Sequence, residues 1–171
     1  MVTELVERVD GQDRVLGVVD RDDAIRRGWL HRIATTVCRD ELGRFLVYRR
    51  AEGLSRYPGH HEVTFGGALS VGESYQAAAS RELAEELGID VPVHEVVKFL
   101  CHGKICSYWL GVHEAVIVGD VSPDPEAVSW VGWLTSAELS EFVKQHRFIP
   151  DGQEALRRYL EARSASPGSA R

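Results

Sequence analysis

Short runs of apolar, β-branched and aromatic residues punctuate this chain, and between them lie a few stretches with helical period. "IATTVCRD" and "RFLVYRR" flank the turn "DELG", which predicts a β-hairpin. "RVLGVVD" (14–20), "VTFGGAL", "VVKFLC", "ICSYWLGVHEAVIV" and "SWVGWL" read as further strands, with Gly103 marking the turn between the third and fourth of these. "RDDAIRRG" (21–28) reads as a short helix or turn. Helical period continues over 74–87, "SAELSEFVKQH" and "DGQEALRRYLEARS", the second starting near Thr135 or Ser136 as N-cap. "AEGLSRYPGHHE" (51–62) and "DVSPDPEA" are glycine- and proline-broken loops. Strands outnumber helices, yet the helices are long enough to cover sheet faces. The expectation is one α/β domain over 1–163, a mixed sheet sandwiched between helices, followed by a disordered tail at 164–171.

The helix at 74–87 carries the strongest local signals. Ser74 suits the N-cap, Glu73 adds negative charge at the positive end, and Gly88 suits a left-handed C′ position with Ile89 folding back as in a Schellman end. At 100° per residue Leu83, Leu87 and Ser80 share one face, and Glu82, Glu85 and Glu86 share the next. Like charges at that spacing repel, and only Arg81 offers relief, toward Glu85. A solvated acidic face would look the same. However, the preceding "GGALSVGES" has glycines at 66, 67 and 72, which let the backbone turn and approach an ion closely. Clustered carboxylates suit Mg²⁺, or Mn²⁺ in its place, together with substrate phosphates.

Composition narrows the field. The chain has 171 residues, 44% hydrophobic and 27% charged, enough for one ordinary buried core. A net charge of −6 gives no general attraction to nucleic acid or to an anionic membrane. No apolar run approaches the roughly 20 residues of a membrane span, and "MVTELVERVD" is too acidic for a signal peptide, so a cytoplasmic protein is expected. Three cysteines in a reducing compartment argue against a disulfide framework. Cys101 and Cys106 read as small apolar residues of a hairpin; a metal site with His102 would lack a second ligand pair.

Gly67, Glu73 and the run Arg81-Glu82-Leu83-Ala84-Glu85-Glu86-Leu87-Gly88-Ile89 match the Nudix box, GX5EX7REUXEEXGU, at every specified position. The chain is therefore identified as a member of the Nudix hydrolase family. "LHRIATTVCRDELGRFLVYRR", "PGHHEVTFGGAL" and "VSWVGWLTSAEL" resemble the flanking strands of Nudix proteins similar to isopentenyl-diphosphate isomerase. The resemblance implies a Nudix fold from about 15 to 160 and metal-dependent cleavage of a small-molecule diphosphate, a nucleoside diphosphate derivative, by water. It implies that Glu82, Glu85, Glu86 and the Gly67 carbonyl hold the metal, that Arg81 orients a glutamate, and that Glu73 braces the loop. Glu82 is the first choice for general base; Glu126 or Asp124 of "DPEA" is the alternative, although related sequences place that glutamate where Ala127 stands.

Outside the box, Arg49, Arg50 and Arg56 are placed to meet phosphate, and Glu126 to touch substrate. Adjacent His60 and His61 point to opposite faces of an extended chain, so one of them can line a pocket. Tyr108 and Trp109 likewise divide between core and a base-stacking face, while Trp29, Trp130 and Trp133 are expected in the core. An isomerase is the alternative enzyme, with His31 where isomerases use a metal-binding histidine. Its acid–base cysteine and ligand histidine are replaced by Gly66 and Ala68, and its later carboxylate pair by Cys106 and Tyr108. A Nudix fold that only senses a ligand is the third reading. Homodimers are common in the family, so the resemblance makes a homodimer one expectation.

Overall fold

The computed structural model describes residues 2–166. Three strands of period-2 sequence set its centre. In β3 (Arg32–Asp40), Ala34 and Cys38 enter one core cluster and Val37 the other, so the strand is buried on both faces. In β4 (Phe45–Arg50), Leu46 and Tyr48 face one layer and Phe45 and Val47 the opposite one. β8 (Ser107–Ile117) lies parallel to β3 over Arg32↔Trp109 to Asp40↔Ile117. The path through the seven-stranded sheet is β5 (His61–Glu62), β4, β3, β8, β7 (His94–His102); β6 (Thr64–Ala68) pairs with β3 and β9 (Val128–Leu134) with β4. The hairpin expected between β3 and β4 holds only at its turn, where Arg39 pairs with Phe45. Beyond that pair the strands part, β3 turning to β6 and β4 to β5 and β9. A cleft opens where they separate.

Helices cover both faces. α2 (Tyr75–Leu87) packs Ala78, Ala79, Leu83 and Leu87 on Ala34, Leu46 and Phe65. Burying each leucine stabilises the fold by about 1.5–3 kcal/mol. α3 (Ser136–Gln145) and α4 (Pro150–Ala165) cover the other face through Leu139, Ala155, Leu156 and Tyr159. The expected sandwich is therefore present. Thr135 caps α3 with a full capping box, while α4 starts at Pro150 with no side-chain cap. α4 runs on to Ala165, past the expected domain end at 163; the tail beyond Ser166 lies outside the described residues.

The N-terminal segment holds a strand that the sequence reading missed. β1 (Leu5–Val9) pairs antiparallel with β2 (Val15–Asp20), and α1 (Arg21–Arg27) follows. This two-stranded sheet is tied to the main domain by charge. Asp13 accepts from Arg32 Nε (2.7 Å), Lys98 Nζ (2.8 Å) and the Tyr75 hydroxyl (3.0 Å), and Glu7 meets Arg32 Nη1 at 3.1 Å. Among the described residues no helix is long and apolar enough to cross a membrane.

Candidate active site

Local chemistry places the glutamates. Ser74 Oγ accepts from Ala77 N–H at 3.1 Å and starts α2. Gly88, at φ 66°, closes it by donating to the Ala84 carbonyl. This is the single-bond left-handed end. The last carbonyls are taken by the 120–127 loop, whose Ser122 and Asp124 N–H groups donate to Leu87 O (3.0 Å) and Glu86 O (3.2 Å). With both ends fixed, the glutamate face is turned toward β6.

Two glycines let β6 come close. A Cβ on Gly66 would run into the Ala34 carbonyl, and one on Gly67 would stand 2.5 Å from Glu82 Oε1. Gly67 therefore lies directly against the Glu82 carboxylate, as the box spacing leads one to expect.

Arg81 organises the rest. Its Nε and Nη2 donate to the two oxygens of Glu73, each at 2.9 Å, and Nη2 also donates to Ala68 O at 3.1 Å. Its Nη1 reaches Glu82 Oε1 at 2.7 Å and Glu85 Oε2 at 3.4 Å. Glu73 in turn accepts from Ser70 N–H at 2.9 Å, fixing the glycine loop. The guanidinium holds Glu73 below the usual carboxylate range.

Glu86 has no such partner. Its Oε2 is buried and makes no hydrogen bond. Burial, reinforced by the Glu82 charge, pushes its carboxyl up to about 8. Burial also raises Glu82. Glu85 is exposed. Among the described residues no three His, Cys, Asp or Glu side chains converge as a ready metal cage. Arg81 stands between Glu82 and Glu85 instead.

Beside this cluster lies a cleft of about 350 Å³, reached from Gly66 and Gly67 and walled by Arg21, Arg50, Arg56 and Glu62. Arg50 lowers the proton affinity of both Glu62 and Glu86 by its charge. Arg49 is not on the cleft; it pairs with Glu52 and donates to Gly59 O. Glu126 is exposed and also off the cleft, its N–H donating to Asp124 Oδ1 at 2.9 Å. The cleft's lining contains neither His60 nor His61. Tyr108 lines it, whereas Trp109 donates to Asp10 O. His31 is fully buried behind it, 6.2 Å from the Tyr108 ring. Trp130, expected in the core, is 40% exposed and stacks on Phe142 instead. Its strand borders β4 at the sheet margin, where one face is open to solvent.

Several cleft residues escaped the sequence reading. Arg21, the first residue of α1, has a buried Nε without a partner, while its Nη1 meets Glu4 at 3.0 Å. Glu62 accepts from Val63 and Thr64 N–H groups and lies so close to Gly152 that only glycine fits there. Burial pushes its carboxyl up to about 7. Asp151 accepts from the Tyr108 hydroxyl at 2.6 Å. A buried "E" after "GHH" and an "RD" opening a helix were the available signals.

A NUDIX domain profile matches residues 29–159. The chain belongs to the Nudix hydrolase family. Among its Nudix relatives is the uncharacterized Nudix hydrolase SCO1686 of Streptomyces coelicolor, 41% identical over an alignment of 170 positions that covers 97% of this chain and 94% of that one. The uncharacterized Nudix hydrolase YfcD of Escherichia coli is 32% identical over 93% of this chain and 88% of its own length. Among solved structures, DR0079 of Deinococcus radiodurans aligns with a TM-score of 0.78 and 26% identity, covering 91% of this chain and 99% of that one. The Nudix domain of NrtR from Shewanella oneidensis, solved with ADP ribose, aligns at TM-score 0.59 and 17% identity, over 76% and 86% of the two chains. At that identity the likeness is one of Nudix fold alone.

Proposed function

We propose that this Nudix chain is a divalent-cation-dependent hydrolase that cleaves the diphosphate linkage of a nucleoside diphosphate derivative by attack of water on phosphorus. The observation that carries the reading is the buried, unpartnered Glu86 oxygen beside Glu82, whose own carboxylate lies against Gly67. An uncompensated buried carboxylate is costly, and a cation would remove that cost. Glu82, Glu85, Glu86 and the Gly67 carbonyl would hold the cation, Mg²⁺ or Mn²⁺ in its place. When bound it would neutralise diphosphate oxygens and position water.

The chain's own groups supply the rest. As ligands, Glu82 and Glu85 would be oriented by Arg81 Nη1, while Glu73 keeps the guanidinium in place through its other nitrogens. Glu82, lying against Gly67 beside the proposed cation, is the carboxylate assigned to take the proton of the attacking water. Arg21, Arg50 and Arg56 face the substrate's phosphates from the cleft walls. The ADP ribose bound by the NrtR domain is a ligand of the proposed class on the same fold. An isomerase would need an acid–base cysteine, and no cysteine lines the cleft among the described residues.

The test is turnover of ADP ribose in ¹⁸O-enriched water with Mg²⁺, read by mass spectrometry. One ¹⁸O in a phosphate product supports attack at phosphorus. Label at carbon, or rearranged product without label, contradicts it.

A further inference from the structure

Three tyrosines line the cleft: Tyr48, Tyr57 and Tyr108. Two are spoken for. Tyr48 is buried, stacks on Phe65 at 4.3 Å and donates its hydroxyl to Thr64 O at 3.1 Å. Tyr108 is buried and donates to Asp151 Oδ2. Tyr57 is half-buried, and its hydroxyl has no hydrogen-bond partner among the described residues.

Its backbone is also unusual. Tyr57 sits at φ +47°, in the left-handed region that bulky side chains avoid. Such a conformation persists only where its surroundings impose it, and it concentrates at ligand sites. The surroundings here are specific. Arg50 Nε donates to Arg56 O at 3.0 Å, Arg49 Nε to Gly59 O at 3.2 Å, and Arg50 N–H to His60 O at 2.9 Å. His60 N–H donates to Tyr57 O at 3.3 Å, and the His60 ring, bonded to Pro58 O, stands edge-on to Tyr57 at 5.3 Å. The loop thus holds the Tyr57 ring at the cleft between Arg56 and His60. Asp151, at the start of α4, lines the same cleft, and burial together with its carboxylate pushes the Tyr57 phenol up.

We propose that Tyr57 is a specificity-determining residue. Its ring stacks on the planar base of the substrate while Arg21, Arg50 and Arg56 take the phosphates, so the cleft selects nucleoside diphosphates over diphosphates lacking an aromatic group. This rests on the hydrolase reading above. A base stacked on one aromatic ring corresponds to about 5- to 150-fold in affinity.

The experiment compares wild type, Tyr57→Ala and Tyr57→Phe. Calorimetry with Mg²⁺ measures binding of ADP and of inorganic pyrophosphate; kinetics measure KM and kcat for ADP ribose and for isopentenyl diphosphate. The expected result is that Tyr57→Ala weakens ADP about 10- to 100-fold and raises KM for ADP ribose, with kcat and pyrophosphate binding little changed. Tyr57→Phe keeps the stacking face and should match wild type. Equal weakening of ADP and pyrophosphate, no weakening of either, or failure of the wild type to bind ADP would overturn the proposal. Because binding is read apart from turnover, a wild type that binds ADP through Tyr57 yet hydrolyses nothing sinks only the hydrolase reading.

Discussion

Gly67 and Glu82 touch with no space for a side chain between them: a Cβ at 67 would stand 2.5 Å from Glu82 Oε1. Gly67→Ala therefore acts through Glu82, displacing a carboxylate assigned to the cation and to proton transfer. Its backbone is not in the left-handed region, so alanine brings no strain of its own. The expected outcome is a folded protein whose Mg²⁺ affinity falls about 10- to 100-fold, as when a ligand loses its positioning contact. Calorimetric Mg²⁺ titration alongside a thermal melt checks it.

Glu86 is the residue whose charge the fold leaves uncompensated. Glu86→Gln keeps the shape and removes the repulsion from Glu82, so without metal it should be at least as stable as wild type. With Mg²⁺ at a hundred times its Kd, wild type should gain about 2.7 kcal/mol by mass action, and the variant far less. Urea unfolding with Mg²⁺ and with EDTA separates the two effects.

Arg81 bonds Glu73, Glu82, Glu85 and the Ala68 carbonyl at once. Arg81→Ala should destabilise the protein by about 2 kcal/mol, since charged hydrogen bonds are lost and the loop brace with them. Arg81→Lys cannot reproduce a planar fork and should recover only part of this. Equilibrium urea midpoints at neutral pH give the comparison.

Glu62 sets a pH dependence. Burial raises its carboxyl from 4.5 to about 7 in the fold. Between those values the folded state holds a proton that the unfolded chain has lost. The contribution is fully present below 4.5, falls as pH rises toward 7 and is flat above. It amounts to about 3 kcal/mol at most. Glu62→Gln should remove this slope. Unfolding free energies of both proteins from pH 5 to 8 in EDTA give the difference curve; parallel curves would refute the assignment.

The glutamate face was legible because helical spacing and the glycine loop are local: Ser74 acts on Ala77, Arg81 on Glu82 and Glu85, and Gly88 on Ala84, each within about one turn. The layers were legible from period-2 runs such as β3. The parting of β3 from β4 was not, because pairing beyond the turn is decided by β6 and β9, far off in the chain. β1 was missed because "LVERV" is short and its pairing needs the Asp10–Arg14 turn. For the same reason Arg21, Glu62 and Asp151 carry only faint local signals; they meet only once α1, β5 and α4 converge on the cleft. Arg49 and Glu126 were drawn in by neighbourhood in sequence, and their side chains fall off the cleft, Arg49 onto Glu52 and Glu126 into solvent.

The central claim is metal-dependent cleavage of a diphosphate by the Glu82–Glu86 face. Phosphate release, coupled to a phosphatase, would be followed with Mg²⁺ and with EDTA over nucleoside triphosphates, nucleoside diphosphates, nucleotide sugars, ADP ribose, dinucleotides and isopentenyl diphosphate. Turnover that requires Mg²⁺ and is lost in Glu85→Gln is the predicted result. Turnover that survives EDTA or the Glu85→Gln substitution, or a folded, Mg²⁺-binding wild type that cleaves none of these compounds, would contradict it.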